Sequence, residues 1–116
     1  MAEVLIDTDV LIDHLRGARA LEPGDGGLAC SVVTRCELFA GRRVDEDGVR
    51  RLLADFSEIP VDRQVAEQAG RIRRAAGLRT PDALIAATAL AAGLTLVTRN
   101  ARDFDRVPGL EVRPPA

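Results

Sequence analysis

Apolar residues along the chain fall into short blocks, and the spacing within each block alternates between strand and helix periods. "EVLID" (3–7) is an apolar run of strand length. Val10, Leu11, Ile12 and Leu15 then follow helical spacing and stop at Gly17, with Thr8 or Asp9 as the expected cap. "EPGDGG" (22–27) is a loop, and "LAC" (28–30) is a short second strand. Ser31 caps "VVTRCELFAG", which Gly41 ends. Val49, Leu52, Leu53 and Phe56 recur at i, i+3, i+4 and i+7, the stripe of an amphipathic helix. "SEIPV" is a weak strand that Pro60 relegates to a sheet edge. Asp62 caps "RQVAEQAGRIRRAAG", whose apolar face is Val65, Ala69, Ile72 and Ala76. Thr80 at the cap, Pro81 behind it, Asp82 in the first turn and Gly93 beyond the end delimit one more helix. "LTLVT" (94–98) is a strand buried on both faces, and "LEV" (110–112) is the last.

Strands alternating with helices imply an α/β fold, a parallel sheet covered on both faces. No linker or internal repeat divides the chain, so residues 1–116 are expected to form one domain. Crossover helices run antiparallel to the strands, so strand carboxyl ends and helix amino ends share one edge, where ligands bind. Four acids head for that edge. Asp7 closes the first strand, Asp82 lies in a first helical turn, and Asp103 follows "LTLVT" in the loop or turn "RNARDFDR". Glu37 stands on the apolar side of its helix, where an unpaired carboxylate costs several kcal/mol unless it meets a partner or a cation. Singly, each acid has an ordinary explanation: a cap, a dipole complement, a surface ion pair or a solvated turn. Together at one mouth they repel, and a hard divalent cation with an oxygen shell, Mg²⁺ or Mn²⁺, relieves that repulsion.

Composition narrows the choice. The chain has 116 residues, enough for a core without disulfides or a structural metal. Three Phe and no Tyr or Trp leave almost no platform for stacking bases. A net charge of −2 argues against broad attraction to nucleic acid. Every basic residue except His14 is Arg; Arg99, Arg102 and Arg106 cluster just past the "LTLVT" strand, placed to grip a phosphate backbone or simply solvated. Cys30 and Cys36 lack zinc spacing and are expected to be small buried hydrophobes in a reducing cytoplasm, since no leader pattern precedes them. The uncharged stretch 83–97 is too short for a membrane span. His14 sits beside Leu15 as a packing or surface residue, and no phosphate-cradling glycine loop or nucleophile elbow is present.

"LIDTDVLIDHLRG", "SVVTRCELFAG" and "TPDALIAATALAAGLTLVTRNARDFDRVPGL" together resemble, in order and over nearly the whole chain, the PIN domain of VapC-type toxins from type II toxin–antitoxin pairs. The resemblance implies a PIN-like three-layer α/β/α fold with a parallel, roughly five-stranded sheet, and a Mg²⁺- or Mn²⁺-dependent endoribonuclease. It maps the family's acids onto Asp7, Glu37, Asp82 and Asp103, with Asp7 and Asp82 as metal ligands and Glu37 orienting or deprotonating water or holding a second ion. Relatives carry the fourth acid at the position of Asn100 or of Asp103; here the former is Asn, so Asp103 is expected to serve and Asn100 to support it. Thr8 and Thr98 are expected to orient the acids. The implied partners are RNA, contacted by Arg99 and Arg102, a small antitoxin whose tail blocks the acidic mouth, and a second copy of the chain. The segment between Glu37 and Asp82 is short for this family. Two other readings are open: a PIN-like binding module without catalysis, and a phospho-acceptor receiver domain, which the lack of any Lys disfavours.

Overall fold

A computed structural model describes residues 2–17 and 27–115. Five strands, β1 (Val4–Ile6), β2 (Leu28–Ser31), β3 (Ser57–Ile59), β4 (Thr95–Val97) and β5 (Val112–Arg113), form one sheet in the order β3-β2-β1-β4-β5. Every pairing is parallel. Six helices connect or follow them: α1 (Thr8–Leu15), α2 (Val32–Phe39), α3 (Glu46–Leu53), α4 (Arg63–Ala76), α5 (Thr80–Ala92) and α6 (Ala101–Phe104). Alternation along the strands builds a separate core on each face. Leu5, Ala29 and Leu96 join Val65, Ile72, Ile85 and Phe104 on one side. Val4, Ile6, Cys30 and Val97 join Val10, Leu11, Leu38, Val49 and Leu53 on the other. The result is a three-layer α/β/α sandwich, as the strand–helix alternation implied.

Most helix boundaries follow the expected punctuation. Ser31 Oγ accepts from the Val33 amide at 3.1 Å, and Asp62 Oδ1 accepts from the Val65 amide at 2.8 Å. Gly93 ends α5 in the left-handed region at φ 69° and turns the chain into β4. Two caps differ from expectation. The cap of α1 is Asp7 itself, extended at φ −71° and ψ 154°, so one residue ends the strand and starts the helix. The cap of α5 is Arg79, one residue before Thr80, and Pro81 falls in the first turn, where its missing N–H needs no partner.

Other differences trace to local turns and tertiary cover. "LEV" pairs later, at Val112–Arg113, because a turn around Gly109 (φ 80°), closed by Leu110 N–H donating to Val107 O at 3.3 Å, takes up the residues before it. "RNARDFDR" contains the short helix α6, pinned by the fully buried Phe104. Cys36 is exposed rather than buried, since α2 turns that position away from the sheet, whereas Cys30 sits inside. Leu15 is 44 % exposed because α1 ends beyond the edge of the core. The loop expected at 22–27 lies outside the described residues except for Gly27. Among the described residues no helix is long and apolar enough to cross a membrane.

Candidate functional site

The strand order places β1 between β2 and β4, so chain connections leave β1 and β4 toward opposite sides. That reversal opens a crevice beyond their carboxyl ends. Asp7 stands there, only 5 % exposed, its amide donating to Val97 O of β4 at 2.9 Å. Both carboxylate oxygens are held: Oδ1 accepts from the Thr8 amide at 2.8 Å and Oδ2 from the Thr98 hydroxyl at 2.7 Å. The Asn100 amide donates to Thr98 Oγ1 at 3.0 Å, leaving the one hydroxyl proton of Thr98 for the acids. Two neutral donors do not offset the burial of this charge. Burial, then the nearby Asp9 carboxylate, then Asp82, push the Asp7 carboxyl up to about 7 against the opposing hydrogen bonds.

Asp82 enters from the first turn of α5, its side chain 20 % exposed and 3.8 Å from Arg79. Its carboxyl is also raised, first by burial, with Glu37, Asp103 and Asp9 adding to the shift and Arg79 opposing it. The same field therefore links Asp7, Asp9, Glu37, Asp82 and Asp103 across one mouth. Glu37 Oε1 accepts from the Thr8 hydroxyl at 2.6 Å. Asp103 is half-exposed on α6, where Asn100 Nδ2 donates to its Oδ2 at 2.8 Å and Arg106 lies 3.9 Å away.

Two of the arginines past β4 are occupied. Arg99 Nη1 donates to both oxygens of Asp13 at 3.0 Å, and its amide donates to Asp9 at 3.2 Å. Arg106 leans on Asp103. Arg102 is exposed and forms no ion pair among the described residues.

Sequence reasoning passed over Asp9 as a site residue, although the rule applied to Asp82 covers it: an acid in the first turn of a helix starting at the same edge. It also passed over Thr34, whose hydroxyl lies 2.9 Å from that of Thr8. No local signal marks that contact. A cleft of about 380 Å³ runs from Glu37 between α1, α2 and α3, floored by Ile12, Leu38 and Val49 and rimmed by Arg16, Arg42 and Arg43.

The oxygen-only donor set suits a hard cation. Among the described residues no three carboxylate, imidazole or thiol groups are drawn close enough to cage an ion. The raised Asp7 carboxyl is the charge deficit such an ion would fill.

The family model described as PIN domain matches residues 4–110. The chain belongs to the PIN domain family. This PIN domain is 42 % identical over 113 residues to Ribonuclease VapC10 of Mycobacterium tuberculosis, covering 87 % of this chain and 85 % of that protein. It is 36 % identical over 123 residues to Ribonuclease VapC19 of the same organism, covering 92 % and 96 %. A chain in a toxin–antitoxin complex from Klebsiella pneumoniae superposes with a TM-score of 0.80 at 32 % identity, covering 98 % of each.

Proposed function

We propose that this PIN domain is a divalent-metal-dependent endoribonuclease, the toxin of a VapBC-type pair. The observation that carries the reading is the buried Asp7, raised to about 7 at the strand-order reversal and facing Asp9 and Asp82. Its similarity to proteins named Ribonuclease VapC10 and VapC19 supports RNA as the substrate. Asp7 and Asp82 would hold Mg²⁺ or Mn²⁺, directly or through water. When bound, the cation supplies positive charge against the charge that builds on the phosphodiester in hydrolysis.

The chain's own groups do the rest. Thr98 and the Thr8 amide fix the Asp7 carboxylate, so its lone pairs point into the crevice in one orientation. Glu37, held by the Thr8 hydroxyl, orients the attacking water and accepts its proton. Asp103, steadied by Asn100, closes the acidic ring from the α6 side. Arg102 contacts the RNA backbone, and Arg99 aligns Asp9 and Asp13 while its exposed face meets phosphate.

The Klebsiella pneumoniae structure is a toxin–antitoxin complex, which supports a small antitoxin as partner. The cleft leading to Glu37 offers an apolar floor beside the exposed Leu15, and an antitoxin segment lying there would cover the acidic mouth. The family resemblance adds a homodimer, which sedimentation of the purified chain measures. The two free thiols fit a reducing cytoplasm.

In Mg²⁺ buffer, purified protein should cut RNA internally, and EDTA should stop it. Asp7→Asn and Asp82→Asn should each lower cleavage by at least about 100-fold with an unchanged far-UV spectrum. Full activity in both variants overturns the reading. The alternative is a PIN-like binding module without catalysis. That module would bind RNA and leave it intact with or without Mg²⁺.

A further inference from the structure

Two threonines are fully buried within helices, Thr34 in α2 and Thr88 in α5. Thr88 does what helical threonines ordinarily do: its hydroxyl donates to Leu84 O, four residues back, at 2.7 Å. Thr34 does not. Its hydroxyl instead lies 2.9 Å from Thr8 Oγ1, 26 residues away at the start of α1, and that is its one side-chain hydrogen bond among the described residues.

The direction of this bond follows from proton counting. Thr8 Oγ1 is 2.6 Å from Glu37 Oε1, and an ionised carboxylate has no proton to give. Thr8 therefore directs its single hydroxyl proton to Glu37. Only its oxygen lone pairs remain for Thr34, so Thr34 is the donor. The chain runs Thr34 to Thr8 to Glu37, each bond polarising the next. At the same time the Thr8 amide donates to Asp7 at 2.8 Å. One threonine thus holds an acid of β1 with its backbone and an acid of α2 with its side chain. A threonine in a helix has two accessible side-chain rotamers, and donation from Thr34 selects the one that faces Glu37.

The geometry points to Thr34 as a positioning residue for Glu37, acting through the Thr8 hydroxyl. Its kinetic consequence rests on the ribonuclease reading above; its structural consequence does not. Thr34 touches neither substrate nor metal. Its hydroxyl sets the aim of the group that receives the proton, so it acts on turnover and not on RNA affinity.

The test compares Thr34→Val, which keeps the shape and removes the hydroxyl, with Thr34→Ser, which keeps the hydroxyl. With the full chain, Mg²⁺ and a short RNA, Thr34→Val should lower kcat about 10-fold with KM changed less than about twofold, and Thr34→Ser should restore most of the loss. On a Glu37→Gln background Thr34→Val should cost nothing further, because the group it aims is gone. Crystal structures of the metal-free variants supply a readout independent of activity. In Thr34→Val the Glu37 carboxylate should move beyond about 3.5 Å from Thr8 Oγ1, and in Thr34→Ser it should stay. If Thr34→Val does not fold, Thr34→Ala takes its place with the same readouts. Activity within about twofold of wild type, an unmoved Glu37, or a Ser variant as impaired as Val overturns the assignment. If the wild-type protein cuts no RNA, the ribonuclease reading fails while the position of Glu37 still decides on Thr34.

Discussion

Asp7 is a carboxyl group held in a place that resists its ionisation. Burial comes first among the causes, then Asp9, then Asp82, and together they outweigh the Thr98 and Thr8 hydrogen bonds. The consequence for stability has a definite sign. In the unfolded chain an Asp titrates near 3.8, and in the fold Asp7 titrates near 7. Between those values the folded state binds more protons than the unfolded one. Stability from this group is therefore full at low pH and is lost as pH rises through about 7. Asp7→Asn, neutral at every pH, should stabilise the metal-free protein by about 1–3 kcal/mol at pH 8, and by little at pH 4, where the wild-type group is mostly protonated. Denaturant unfolding in EDTA at the two pH values measures this, and no gain at pH 8 would refute it. The acid itself was legible as the end of an apolar strand. Its electrostatic state was not, because the largest cause is burial, which the packing around β1 sets, and Thr98 and Asp82 are remote in sequence.

At the scale of elements, two glycines with open space around a notional Cβ should respond oppositely to the same substitution. Gly70 is exposed in the middle of α4, and an added methyl would meet nothing within 4 Å. Gly70→Ala should raise stability by about 0.5–1 kcal/mol, since alanine favours the helix. Gly93 also has nothing within 4 Å, but its φ is +69°. Gly93→Ala should cost about 1–2 kcal/mol from backbone strain alone. Thermal unfolding of the two variants at matched pH gives the comparison. Gly93 was legible as a stop signal after the apolar run of α5, and the caps Ser31 and Asp62 were legible for the same local reason. Asp7 as the cap of α1 was legible only as an alternative to Thr8 or Asp9, and what decides for it is its N–H hydrogen bond to Val97 O on a neighbouring strand, which fixes it in extended conformation.

At the scale of the molecule, four elements converge on the mouth: the β1–α1 junction, α2, α5 and α6. If the proposed cation binds there, their shared negative field would make it a stabiliser of the whole fold. Mg²⁺ or Mn²⁺ at about 100 times its Kd should add about 2.7 kcal/mol to wild-type stability. In Asp7→Asn that increment should shrink to a small fraction. Thermal shift with and without EDTA checks it, and an equal increment in both proteins would place the ion elsewhere.

The order of the five strands and of the five longer helices, the α/β class and the expected edge of each acid were determined by the sequence alone. These follow from burial periodicity and from caps acting over three or four residues, and such interactions are local. Only the tertiary structure decided that Arg99 pairs with Asp13 across 86 residues and that Thr34 reaches Thr8. Each of those depends on α1 meeting α2 and the β4 loop, a juxtaposition created by the β2-β1-β4 strand order. Coulomb and hydrogen-bond energies depend on distance in space, and distance in space between remote residues is what packing of the sheet and its two helical layers sets.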